Sequence, residues 1–343
     1  MAEQARARAH PRWLTLALAL LVTVAAVAWL AGTLDWERVV ATLRGADYGL
    51  VALALLTVLL TIGARALRWA VLVRPLRPRP LDLLSALVTG QLVNYLIPAR
   101  AGDLARGFLL GQGRRDSGMR LVGTVAAEKV WDLLTALLLV LVLGLTMDLP
   151  RWVTVALPGL AALALAALVG AWVSRRWKGR MVALVAALEA RLPLVPQGLL
   201  SRAVARLLDG LGGLQRAGLA WRALALSALV WGLGILGNLL VLRAVGIAAS
   251  PALAAFLMVV LMLGISVPTL PAQMGAFEGL CVISLGLWGV GRDVAFSAGL
   301  LLHAVVYLPP VLLALALGPR TWGRLGHLPL RGQRAASHEG ASQ

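Results

Sequence analysis

Long uncharged runs alternate with short polar or basic stretches along most of the chain. The first run, Trp13 to Leu34, follows Arg6, Arg8 and Arg12. A second covers Tyr48 to Val73 and carries Arg65 and Arg68 near its end. A third, Leu81 to Ile97, is only 17 residues long and contains Asn94 just before Pro98. A polar stretch from Pro98 to Arg120 separates it from Leu121–Thr146 and Trp152–Ser174. The later runs are Ala223–Val245, Pro251–Leu270, Gly275–Val290 and Val294–Leu317. A helical span needs about 20 apolar residues, so this pattern predicts an all-α polytopic membrane protein with about seven to nine hydrophobic segments. The first run is too long for a signal-peptide core and shows no clear cleavage site. It is read as a retained span, with a cleaved signal as the alternative.

Residues 175–222 break the pattern, with nine basic residues and two acids. From Leu200 the apolar positions are Leu200, Val204, Leu207, Leu208, Leu211 and Leu214, while Arg202, Arg206, Asp209 and Arg216 fill the complementary positions. That spacing predicts an amphipathic helix with a basic face, lying on the membrane surface or covering the bundle. Many tryptophans, among them Trp13, Trp36, Trp69, Trp152, Trp172, Trp177, Trp221 and Trp322, fall near the ends of runs, where an aromatic belt belongs. Trp131 and Trp231 lie deeper and read as packing residues.

Composition agrees and excludes other classes. Hydrophobic residues make up 60% of the 343 and charged residues 14%, against about 25% charged in soluble domains. Neither an ordinary soluble enzyme nor a disordered chain fits. The single cysteine, Cys281, excludes a disulfide framework and reads as a small apolar filler. The net charge of +17 is nearly all arginine, Lys129 and Lys178 being the only lysines. In a soluble protein this would suggest nucleic acid; here it marks cytoplasmic loops and anionic headgroups, and no nucleic-acid partner is expected.

The charge bias also gives a topology. The N-terminal tail, residues 74–82, 98–120 and 175–222 and the C-terminal tail are Arg-rich and are assigned to the cytoplasm; the segments around Asp35–Asp47, Asp148–Arg151 and Arg292–Asp293 are not. Leu81–Ile97 then has cytoplasmic flanks on both sides and is read as re-entrant. The alternative is an ordinary short span with a basic outer loop. A weak internal repeat points the same way. Pro98-Ala99-Arg100-Ala101-Gly102 is similar to Pro271-Ala272-Gln273-Met274-Gly275, and each precedes an acid, Asp103 or Glu278. Arg68 lies 30 residues before Pro98 and Arg243 lies 28 before Pro271. The charge assignment sends the two preceding spans in opposite directions, which makes the halves an inverted repeat with one or two re-entrant segments. Strict inversion would put the C-terminus outside, against its basic tail, and the tail charges are followed.

Charge inside a bilayer costs a few kcal/mol or more per group, so it is paired or wet. Four groups stand out: Asn94, Arg100, Asp103 and Arg106; Glu128, Lys129 and Asp132; Gln273 and Glu278; Arg65 and Arg68. Glu128 and Asp132, four apart on one helix face, lie roughly 10 and 16 Å into their run at 1.5 Å per residue. Arg68, Arg100 and Arg106 are their candidate partners. One reading is a structural ion-pair network. The other is a polar path for a lipid headgroup, with arginine taking the phosphate through its planar fork. Asn94, Arg100, Asp103, Arg106, Glu128, Asp132, Gln273 and Glu278 are the expected substrate-binding residues, with Pro98, Gly102, Pro271 and Gly275 as structural residues. His303 has no carboxylate at metal-ligand spacing and reads as a packing residue; no metal and no cofactor are expected. Gly275-x-x-x-Gly279 reads as a close-packing motif beside Glu278. No nucleotide-binding or triad motif is visible, and the chain is expected not to be an enzyme.

Taken together, Asn94-x-x-x-Pro98-x-x-x-Gly102-Asp103-x-x-Arg106, Glu128-Lys129-x-x-Asp132 and Pro271-x-x-x-Gly275-x-x-Glu278 resemble the lysylphosphatidylglycerol synthase transmembrane-region family, also called flippase-like domain proteins. Family members often carry Gly-Glu at Gly102-Asp103 and Glu-Arg at Glu128-Lys129; both differences keep the charge. The resemblance implies a flippase-like domain over residues 13–320, containing the basic cytoplasmic segment 175–222. Cytoplasmic tails at 1–12 and 321–343 flank it, the latter expected to be disordered. It implies a bacterial cytoplasmic membrane protein that translocates or handles a phospholipid or lipid-linked substrate, the soluble aminoacyl-transferase domain of the two-part synthases being expected absent. The alternatives are a membrane subunit of a lipid-linked glycosyl or aminoacyl transferase, or an accessory to a neighbouring lipid-modifying enzyme.

Overall fold

In the computed structural model, residues 32–74, 76, 78–97, 101–111, 118–191, 196–212, 217–264 and 271–318 are described. The N-terminal tail, most of the first hydrophobic run, Pro98, Arg100, Arg216 and the C-terminal tail lie outside these residues. The described residues form α-helices joined by short turns and contain no strand. The helices are α1 (Trp36–Arg44), α2 (Tyr48–Leu72), α3 (Pro80–Leu96), α4 (Ala101–Gly111), α5 (Gly118–Thr146) and α6 (Arg151–Arg176). They continue with α7 (Lys178–Glu189), α8 (Leu199–Leu211), α9 (Ala217–Ala244), α10 (Pro251–Gly264), α11 (Ala276–Gly286) and α12 (Arg292–Leu317). A 3₁₀ turn, Pro271–Gln273, precedes α11.

Local chemistry sets the starts. Asp35 accepts from Arg38 N at 3.1 Å and Asp47 from Gly49 N at 2.9 Å, which satisfies orphan amides at the heads of α1 and α2. Pro80 and Pro251 open α3 and α10, where a missing N–H costs nothing. The polar segment around Asp35–Asp47 contains a short helix, α1. It docks on α12 through Asp35 N to Asp293 Oδ1, 3.1 Å.

Among the described residues, five helices are long and apolar enough to cross a bilayer: α2, α5, most of α6, α9 and α12. Their outer faces expose large apolar side chains, such as Leu56, Leu60 and Leu67 on α2, and Leu163, Leu165 and Trp172 on α6. Apolar surface on this scale belongs against lipid. α3, α4, α10 and α11 are shorter, at 17, 11, 14 and 11 residues.

The order long, short, short, long therefore occurs twice, as α2–α5 and as α9–α12. The packing follows the same order: α2 lies along α9, α3 on α12 and α10 on α5, with α4 on α5 and α11 on α12. Exchanging the halves maps this set of contacts onto itself.

Small residues let backbones meet at the joints. A Cβ on Gly102 would sit 1.8 Å from Gly90 O, so α4 folds back against α3 at backbone contact. A Cβ on Gly123 would lie 2.1 Å from Leu207 O, which brings α8 directly against α5. The amphipathic helix expected from Leu200 is α8, which covers the bundle, and a second helix, α7, precedes it in the basic segment. Lys178 Nζ reaches Asp209 Oδ1 at 2.5 Å, and Glu189 accepts from Leu200 N at 2.8 Å, so α7 and α8 run antiparallel.

Candidate functional site

Three helices converge on Glu128, which α5 buries completely (0% exposed). From α2, Arg68 Nη2 donates to Glu128 Oε1 at 2.9 Å, and its Nη1 donates to Asp132 Oδ1 at 2.6 Å and to Ser227 Oγ of α9 at 2.9 Å. From α4, Arg106 Nη1 lies 3.0 Å from Glu128 Oε2, and Nη2 lies 3.5 Å from Asp103. The half-exposed Lys129 is 3.3 Å from Asp103. The Arg106 guanidinium also lies 5.0 Å from the Trp69 ring centroid, and Trp69 Nε1 donates to Thr124 Oγ1 at 3.0 Å.

Arg106 is 2% exposed, yet its Nε, Nη1 and Nη2 make no hydrogen bond of good angle. Its attraction to Glu128 is Coulombic, and its directional donors are unspent. With Arg65, which donates to Gln91 Oε1 at 3.2 Å, the cluster holds four cations against three carboxylates among the described residues.

A second polar set surrounds the 271–275 turn. Ala272 and Gln273 hold φ of 53° and 60°, and Gly275 holds 80°. Two successive non-glycine residues in the left-handed region carry backbone strain. Glu278 Oε2 accepts from Gly275 N at 2.7 Å and clamps the turn to the head of α11, while Oε1 lies 2.6 Å from His303 Nδ1 of α12. One helical turn on, Tyr307 Oη donates to Gln273 Oε1 at 2.9 Å. The Tyr307 ring stacks on Tyr95 of α3 at 4.3 Å, and Tyr95 Oη accepts from Gln91 Nε2 at 2.6 Å. Gln91 therefore links the two polar sets, since its Oε1 holds Arg65.

Of the residues singled out from sequence, Asp103, Arg106, Glu128 and Asp132 come together in the first set with Arg68, one of the candidate partners. Asn94 spends its amide oxygen on Gly102 N, 2.8 Å away, at the head of α4. Gln273 and Glu278 form the second set. Arg100 and Pro98 lie outside the described residues. Two readings are corrected. His303 is not a plain packing residue, because Glu278 stands against it. Gly279 has no neighbour within 4 Å of a built Cβ, so Gly275-x-x-x-Gly279 is not a packing seam. The close approach is made by Gly299 on α12, where a Cβ would lie 2.9 Å from Cys281 Cβ. The partnership of Glu278 with His303, 25 residues apart, has no local sequence signal. The pairs Gln91/Tyr95 and His303/Tyr307 do have one, since each is an i, i+4 polar pair inside an apolar run.

The fold and the two buried polar sets define a polytopic α-helical membrane protein. A family model described as the lysylphosphatidylglycerol synthase TM region matches residues 16–314, and the chain belongs to that family. A UPF0104 membrane protein of Methanothermobacter thermautotrophicus is 24% identical over 298 residues, 82% of this chain and 88% of that protein. Glycosyltransferase AglD of Haloferax volcanii is 32% identical over 126 residues, 36% of this chain. That match spans about a fifth (20%) of AglD's length. No solved structure matches the chain.

Proposed function

We propose that the chain is a flippase-like protein that moves a phospholipid or lipid-linked substrate between leaflets without making or breaking a covalent bond. It acts in a bacterial cytoplasmic membrane with both termini cytoplasmic. The observation that carries this reading is the Arg68–Glu128–Arg106 cluster: with Arg65, Lys129, Asp103 and Asp132 it counts four cations against three carboxylates among the described residues, and the buried Arg106 has guanidinium donors without directional partners. Arginine's fork suits phosphate oxygens, and a headgroup phosphate at Arg106 would use those donors. The α3–α4 and α10–α11 pairs supply the setting. Each is two short helices separated by a segment whose sequence carries Pro and Gly, and in this reading both are re-entrant and the halves are inverted, as in transporters that bind substrate at mid-membrane. Asp103, Asp132 and Glu278 then balance the cations when the site is empty or meet an amine on the headgroup.

The test is reconstitution of wild type and Arg106→Lys at equal folded amounts, scored for leaflet exchange of labelled phosphatidylglycerol and of neutral lipids. Lysine keeps the charge but loses the fork, so exchange of the anionic lipid should drop by about tenfold, the loss of one good charge-assisted bond. Equal rates would remove Arg106 from the path. The partial likeness to a glycosyltransferase favours a second reading, a membrane subunit or accessory of a lipid-linked glycosyl or aminoacyl transferase. Absence of protein-dependent exchange of any lipid would favour that one.

A further inference from the structure

The two buried carboxylates differ in kind. Glu128 is held between two arginines, whose charge is permanent. Glu278 is held by a histidine, whose charge is not. Among the described residues no Lys or Arg pairs with Glu278. Among the described residues, the groups facing the pair are Cys281 on its own helix, Tyr307 on α12, Gln273 in the turn, and Tyr95 of α3 behind Tyr307. Arg65 is reached only beyond Tyr95 and Gln91.

The pair is deep. His303 lies 11 residues into the 26-residue α12, roughly 16 Å along its axis at 1.5 Å per residue. α12 carries no other charged residue after Asp293, and Glu278 is the sole charged residue of α11. Ionisable groups at such depth face a partner or a wet path and are the usual elements of proton relays.

At 2.6 Å, one proton lies between Nδ1 and Oε1. With that proton alone the pair is an anion. The other ring nitrogen, Nε2, meets no hydrogen-bond partner among the described residues, and the His303 side chain is 12% exposed. A second proton on Nε2 makes an imidazolium–carboxylate pair of zero net charge. The same Glu278 carboxylate holds Gly275 N and so restrains the strained turn, which packs on α3. Any change in the charge it shares with His303 changes its grip on that turn.

The geometry points to a proton-binding site at Glu278–His303 that takes up and releases one proton per cycle and sets the conformation of the 271–275 turn, so that protons move with the transported lipid. The proton site stands on the geometry above; the coupling to lipid rests on the proposed lipid-moving function. The proton arrives on Nε2 from one aqueous phase and leaves from it to the other. No other bond is made.

Two measurements test this. First, a nitroxide is placed at Met274→Cys, an exposed turn position, in a Cys281→Ala background, with the protein in lipid bilayers. Its mobility should change in a single step as the pH is varied across the range in which the protein stays folded. The step should be lost in both His303→Gln and Glu278→Gln. A pH-independent spectrum, or a step that survives both changes, overturns the proton site.

Second, wild type is reconstituted with labelled phosphatidylglycerol and an internal pH dye, with the membrane potential clamped at zero. One proton per lipid predicts that a gradient of one pH unit sustains about a tenfold lipid asymmetry between leaflets, with proton flux matching lipid flux. In His303→Gln the ratio of rates with and without the gradient should fall to one. Lipid exchange with no proton flux overturns the coupling and leaves the lipid reading intact. Proton flux without lipid exchange removes the lipid reading and keeps the proton site. If neither moves, both fall.

Discussion

At the residue scale, Glu128 has the most to lose. It neutralises Arg68 and Arg106 together, and both guanidinium groups are almost fully buried. Glu128→Ala strands two cations in apolar surroundings, and breaking a buried pair costs about 3–5 kcal/mol. The expected outcome is a large loss of folded protein and a lowered thermal midpoint in detergent, with Glu128→Asp milder. A wild-type melting curve for Glu128→Ala would show that the residue faces water. Gly102 is constrained by space. A Cβ there would overlap Gly90 O, so Gly102→Ala must push α4 off α3, at a cost of about 1–3 kcal/mol for overpacking. That shift moves Arg106, which is on the same helix, so loss of stability and loss of exchange should appear together in Gly102→Ala. The sequence offered all of these residues as candidates. What it could not rank was the partner of each, because Arg68 and Glu128 are 60 positions apart and meet only through packing.

At the scale of elements, α7 and α8 show how a connection outside the spans is held. α8 begins after Gly198, which has no capping side chain. Glu189, at the end of α7, fills that role by accepting from the backbone amides of Leu200 and Ser201. Burial works to raise its pKa, but hydrogen bonds from the Leu200 amide and from the Ser201 hydroxyl and amide outweigh burial and hold the carboxyl below the usual value. A depressed carboxyl contributes stability above its unfolded value, about 4.3, and that stability is lost as pH falls through the lower folded value. The protection of the Leu200 and Ser201 amides, relative to their intrinsic exchange rates, should therefore fall as the carboxyl protonates in acid, and Glu189→Gln should lower that protection at neutral pH and flatten the profile. If the amides of Glu189→Gln remain as protected as in wild type at pH 7, the carboxylate is not the cap.

For the whole molecule, the repeated order of long and short helices predicts a shared topology for the two short pairs. If α3–α4 is re-entrant, cysteines placed at residues 78 and 113 should react only with reagent on the cytoplasmic side. Labelling of residue 113 from outside would restore an ordinary span there. A further expectation follows from α2 lying along α9, the broadest helix contact in the described chain. A Cβ at Gly237 would lie 2.7 Å from Thr57 Oγ1, so Gly237→Leu should separate the halves. Both the cluster at Glu128 and the Tyr95–Tyr307 stack would loosen, seen as a lowered thermal midpoint with lost exchange.

Periodicity and charge alone carried the class of protein, the long helices α2, α5, α6, α9 and α12, and the unusual shortness of the segment that became α3. They could do so because a bilayer imposes length and apolarity on every span, and both are local properties of the chain. The same arithmetic found the buried acids, since an ionisable residue within an apolar run is visible without any partner. The weak likeness of the two Pro-Ala-x-x-Gly segments pointed to a repeat. Only the packing of α3 on α12 and of α10 on α5 showed how the halves interlock. Partner choice was decided by tertiary structure throughout: Arg68 with Glu128, Arg106 over Trp69, Tyr95 on Tyr307, His303 with Glu278. Those contacts join residues 25 to more than 200 positions apart. Nothing in local spacing encodes which helix faces which; side-chain volumes and backbone approaches at glycines such as Gly102 and Gly123 do.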